Sequence, residues 1–110
     1  MTFLCLSSDT MGRGNDELGR KLLKVFLEKL AASDIPIDLI GCSNHGVLLT
    51  TEGSEVIDSL RTLEARGARI ASCGTCIEHL NLQDKLLIGE VGNMDDNMRI
   101  MATADRVIKP

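Results

Sequence analysis

Short aliphatic runs alternate with stretches of helical periodicity from one end of this chain to the other. Residues 3–7 are almost wholly apolar, the pattern of a strand covered on both faces. Residues 37–42, 68–72, 86–88 and 107–108 are four further runs that read as strands. Between them lie helices. Asp16 and Glu17 open the first, where negative charge favours a helix start. Leu18, Leu22, Val25, Phe26 and Leu30 then repeat at helical spacing, and Leu23 and Leu27 widen the stripe, so this helix should meet more than one neighbour. Ser33-Asp34 ends it ahead of Pro36. Residues 44–51 fit either a loop or a short turn. Ser54 is placed to cap a helix over 55–66, with Gly67 at its C′ position. Asn93 is placed to cap another through Met94, Met98 and Met101. Five strands alternating with four helices predict a single three-layer α/β domain over 1–110. Its five-stranded sheet should be mainly parallel, with a flavodoxin-like strand order as the simplest topology.

Composition narrows the function. The chain is 25% charged with a net charge of −4, and only 2% of it is aromatic, namely Phe3 and Phe26. Nucleic acid is therefore an unlikely partner, because neither a basic surface nor stacking platforms are present. No apolar run approaches the roughly 20 residues of a membrane span, and the apolar start lacks the features of a signal segment. A cytoplasmic location is expected, where the four cysteines (Cys5, Cys42, Cys73, Cys76) stay reduced rather than forming a disulfide framework.

The chemistry concentrates at Cys73-Gly74-Thr75-Cys76. The motif follows the third strand and opens a helix, a position where backbone N–H groups and the helix dipole favour thiolate over thiol. Cys73 comes directly off the strand and is the expected nucleophile; Cys76 could resolve a mixed disulfide or persulfide formed on it. In open α/β sheets ligands gather at the carboxyl ends of the strands. Those ends supply Ser8 and Asp9, then Asn44 and His45, then Gly74 and Thr75 as candidate binding residues. Cys5, mid-strand, reads as a small buried apolar residue, and His79 as a surface residue.

Two other constellations stand in the sequence. Cys42-x-x-His45 and Cys73-x-x-Cys76 would supply three sulfurs and an imidazole, a legitimate zinc set. In a flavodoxin-like order the second and third strands flank the first and stand roughly 10 Å apart, so no metal site is assigned. Gly12-Arg13-Gly14 lacks the third glycine of a dinucleotide loop and the Lys and Ser/Thr of a Walker loop, so no phosphate cofactor is assigned.

Several motifs agree in order and spacing with a known family. Residues 6–19 (LSSDTMGRGNDELG), 49–54 (LTTEGS), 72–76 (SCGTC) and 89–94 (GEVGNM) resemble the DsrE-like domain of YedF proteins, within the wider DsrE/DsrF-like family, over nearly the whole chain. The resemblance implies a DsrE/TusD-type fold, a tendency to homo- or hetero-oligomers, and a role in sulfur relay or selenium metabolism. Related carriers hold a persulfide on a cysteine just after the third strand, which falls on Cys73; Cys76 belongs to the YedF-type motif. YedF proteins usually also carry an N-terminal TusA-like domain, and the sequence here opens at the DsrE-like strand. The expected donor is thus a separate TusA-like protein or a low-molecular-weight persulfide.

These readings converge on a sulfur (or selenium) carrier or sulfurtransferase-like protein with its persulfide on Cys73, with no cofactor and with a homo-oligomeric state. Two alternatives stand beside it: a thiol–disulfide oxidoreductase using Cys73 and Cys76, and a non-catalytic oligomeric binding module.

Overall fold

The computed structural model describes residues 1–110. Strands β1 (Thr2–Leu6), β2 (Leu39–Cys42), β3 (Arg69–Cys73), β4 (Glu90–Gly92) and β5 (Arg106–Ile108) form one sheet. Every pairing is parallel, in the order β4-β3-β2-β1-β5. Helices α1 (Asp16–Ala32), α2 (Ile57–Ala65), α3 (Gly74–His79) and α4 (Met94–Thr103) fill the crossovers, and a 3-10 turn over Asn44–Leu49 follows β2. The α/β class and the five-stranded parallel sheet are those expected from the alternating pattern.

The strand order differs from the simplest expectation. β2 lies beside β1, but β3 does not take its other side; it pairs with β2, Ile40 opposite Ile70 and Cys42 opposite Ser72. β5 takes the far side of β1. The chain therefore steps in one direction from β1 to β4 and then returns across the whole sheet. Right-handed crossovers put α1, α2 and α3 on one face and leave α4 alone on the other. The ends of β2 and β3 consequently lie about 4.8 Å apart rather than about 10 Å.

The main core fills the face under α1 and α2. Leu4, Leu6, Ile40, Cys42 and Ile70 from the strands meet Leu23, Leu27, Leu30, Leu60 and Leu63 from the helices. Each such side chain contributes roughly 1.5–3 kcal/mol when fully buried. On α1 the buried stripe runs through Leu23, Leu27 and Leu30, while Leu18, Leu22 and Val25 are exposed. The opposite face is different. Phe3 and Cys5 are buried there, but α4 contributes no buried residue of its own.

The fourth strand is not the apolar run at 86–88. Ile88 packs into the core and Leu86 makes a lone antiparallel bridge to Thr51. The chain turns at Gly89, whose φ of +78° suits glycine, and pairs with β3 only over Glu90–Gly92. An edge strand with a solvated side needs no apolar run, and this one has none. Ser54 does not cap α2 either. Its hydroxyl donates to the Leu49 carbonyl and accepts from the Val56 N–H, organising the turn ahead of the helix. Asn93 caps α4 as expected, accepting from the Asp96 N–H at 2.9 Å. No helix is long and apolar enough to cross a membrane.

Candidate functional site

Cys73 is both the last residue of β3 and the residue that caps α3. Strand alternation sends its side chain, with those of Arg69 and Ala71, toward the α4 face, whereas Ile70 and Ser72 are buried on the α1/α2 face. Cys73 is half-buried. Cys76 is also half-buried and packs against the main core from α3. Cys73 stands close enough to act on the Cys76 thiol.

A third group reaches this pair from β2. The Asn44 backbone N–H donates to the Cys76 sulfur at 3.1 Å. This contact exists because β2 and β3 are neighbours, so the turn after β2 lies beside α3. Asn44 adopts φ +50°, a left-handed conformation that asparagine tolerates. The turn is seated by Gly46, whose N–H donates to the Ser43 carbonyl at 2.8 Å and whose Cα lies against the Leu6 carbonyl. Any Cβ at position 46 would overlap that oxygen.

The electrostatics separate the cysteines. Burial pushes the Cys76 thiol up, and the neighbouring Cys73 pushes the same way; the Asn44 N–H opposes both without cancelling them. Cys76 therefore holds its proton more firmly than an ordinary cysteine. Cys42, deep in the core, is raised to about 12 by burial and is chemically inert. Burial raises Cys5 as well.

Of the residues expected from sequence, the fold joins Cys73, Cys76 and Asn44 in one cluster. Gly74 packs on β4, where a Cβ would stand 3.1 Å from Val91 Cγ1, and Thr75 is exposed on the first turn of α3. Ser8, Asp9 and His45 form a second polar group. The Ser8 hydroxyl lies 2.9 Å from Thr10 Oγ1 and accepts the Thr10 N–H at 3.0 Å, while His45 Nδ1 approaches Asp9 Oδ1 at 4.0 Å. None of the three hydrogen-bonds to either cysteine. The zinc set does not assemble even though β2 and β3 are adjacent. Cys42 points into the α1/α2 core, away from Cys73, and His45 turns to Asp9. No three His, Cys, Asp or Glu side chains converge where a metal ion could be held.

The sequence reading missed the cleft that Cys73 opens onto. It has a volume of about 590 Å³ and runs along the α4 face of the sheet. Its floor is made of Gly41, Ala71 and Gly92; Asn93 and Asn97 line it from α4 and the loop before it. Arg69 and Glu90 pair at 2.6 Å at the end opposite Cys73. The signal was the absence of bulk at alternate strand positions, which a search for apolar runs passes over.

Solved structures share this architecture. The YchN protein of E. coli superposes with a TM-score of 0.67 at 14% identity, over 99% of this chain and 98% of that one. MTH1491 of Methanobacterium thermoautotrophicum, described as a protein of unknown function, superposes with a TM-score of 0.69 at 21% identity, over 99% and 97%. At these identities the likeness shows the fold. No protein-family model matches the chain, and no curated protein matches it in sequence.

Proposed function

We propose that this protein is a sulfur carrier of the DsrE type, closest to the YedF DsrE-like domain, that holds a persulfide on Cys73. The observation that carries the reading is the position of Cys73: half-exposed, at the end of β3, opening onto a cleft, with the Cys76 thiol beside it. A thiolate at Cys73 would attack the outer sulfur of a persulfide donor, and the donor would leave as a thiolate. Cys76 would then donate a hydrogen bond to the loaded group or discharge it. Nothing in the site distinguishes sulfur from selenium, so the same chemistry extends to selenium.

Incubation with a persulfide donor should add one sulfur, about 32 Da, to the intact mass. Cys73→Ser should abolish the gain and Cys5→Ser should retain it. Loading that survives Cys73→Ser would contradict the reading.

The closeness of Cys73 and Cys76 also supports a second reading, thiol–disulfide exchange by this pair. That reading requires a Cys73–Cys76 reduction potential in the catalytic range, about −120 to −270 mV, together with disulfide-reducing activity on a protein substrate. Four free cysteines suit a reducing, cytoplasmic setting. The exposed apolar stripes of α1 and α4 support a homo-oligomer.

A further inference from the structure

Carrier chemistry on Cys73 needs only an exposed sulfur, yet the sulfur lies at the mouth of a cavity. At about 590 Å³ the cleft falls within the range of small-molecule sites. It exists because α4 stands off the sheet, burying none of its own residues, over a floor nearly free of side chains. Gly41 is required there: a Cβ would come within 2.7 Å of the Phe3 ring and 3.3 Å of Asn97 Oδ1. The amide nitrogen of Asn97 meets only methionine sulfurs, at 3.7 and 3.8 Å, so its polar groups have no strong partner. The far end carries charge of both signs. Arg69 lies four residues back along β3 from Cys73, about 13 Å at 3.3 Å per residue, and Glu90, level with Ala71 in the register, lies about half as far. Arg99 lines the same cleft and has no ion-pair partner.

We propose that this cleft binds a zwitterionic peptide thiol, the small-molecule donor of the sulfur that Cys73 accepts. The proposal rests on the carrier reading and specifies its substrate class. A single amino-acid thiol is too short to reach from Cys73 to Arg69. A tripeptide, at about 3.5 Å per residue, spans most of that distance. Its ammonium and carboxylate groups match Glu90 and the arginines, and its amide groups match Asn97. In the step itself, the Cys73 thiolate attacks the terminal sulfur of R–S–SH. The new sulfur–sulfur bond to Cys73 forms as the donor's own S–S bond breaks, giving Cys73–S–SH and the thiolate RS⁻, which takes a proton from water. No external oxidant or reductant is consumed.

Binding is tested apart from transfer. Cys73→Ser protein titrated with S-methylglutathione, which has no transferable sulfur, should show backbone amide shifts at Gly41, Ala71, Gly92 and Asn97, with a Kd of about 1 mM or tighter. No shifts at these positions at about 10 mM would overturn the proposal. Transfer is tested with Ala71→Leu, which fills the floor, and Arg99→Glu, an exposed change that keeps the fold. Both should slow loading by glutathione persulfide about tenfold relative to loading by inorganic hydrodisulfide. An equal effect on both donors, or none on either, would overturn it. If neither donor loads the wild-type protein, the carrier reading fails, whereas S-methylglutathione binding would still register the cleft.

Discussion

Cys73 and Cys76 are three residues apart, but the fold gives them different work. Cys76 lies against the core and beside Cys73, both of which push its thiol up, so its proton is held. Alkylation at about pH 8 should accordingly modify Cys73 before Cys76, and peptide mapping of partially modified protein reads the order directly. Cys42 makes a prediction about stability. Its folded-state pKa, about 12, lies above the ordinary value of 9.0 that an unfolded chain restores. As pH rises past about 9 the unfolded state releases this proton first, so stability is full below that point and declines toward pH 12 by about 1 kcal/mol per unit. Urea midpoints measured at pH 8 and pH 10.5 should fall in the wild type and fall less in Cys42→Ala. A buried hydroxyl pair gives a third test. Thr50 Oγ1 donates to the Val47 carbonyl, so Ser72, 2.6 Å away and fully buried, must donate to Thr50. Thr50→Val strands the Ser72 hydroxyl and should cost about 1–3 kcal/mol; Ser72→Ala leaves Thr50 satisfied and should cost nearer 1 kcal/mol.

At the scale of elements, the 3-10 turn after β2 delivers the Asn44 N–H to the site, and Gly46 sets its height. Gly46→Ala should destabilise by about 3 kcal/mol or more, read as a lowered midpoint, and, by withdrawing the Asn44 N–H that favours the Cys76 thiolate, should sharpen the distinction between Cys73 and Cys76 in the alkylation order. This turn was ambiguous in sequence because Gly, Val and Leu in 44–51 carry neither a helical nor a strand period. β1 was legible because both its faces are covered, which demands continuous apolar residues, and β2 and β3 because Ile40 and Ile70 bury one face amid short apolar runs. β4 was not, since an edge strand pairs through its backbone and left the apolar run at 86–88 to the core. The site was legible where the chemistry is local: a C-x-x-C between strand and helix announces itself. The Asn44 contact and the cleft depend on which strands are neighbours, and strand order is a property of the whole chain that periodicity does not encode.

At the scale of the molecule, the single return crossover decides the rest. It leaves one helix to cover a whole face, and that helix covers it incompletely. Met94, Met98 and Met101 remain exposed on α4, and Leu18, Leu22 and Val25 on α1, two stripes on opposite faces of the sheet. If these stripes make subunit contacts, light scattering should report a mass above the 11.9 kDa of one chain, and Leu22→Glu or Met98→Glu should lower it. The same incomplete cover keeps Cys73 open to a donor while Cys42, one strand away, is sealed. The most direct test of this account is to map the added sulfur after persulfide loading, by trapping with an alkylating agent, digesting and sequencing the peptides. The account predicts about one trapped persulfide per chain, on Cys73. A persulfide found instead on Cys76, or on none of the four cysteines, would contradict it.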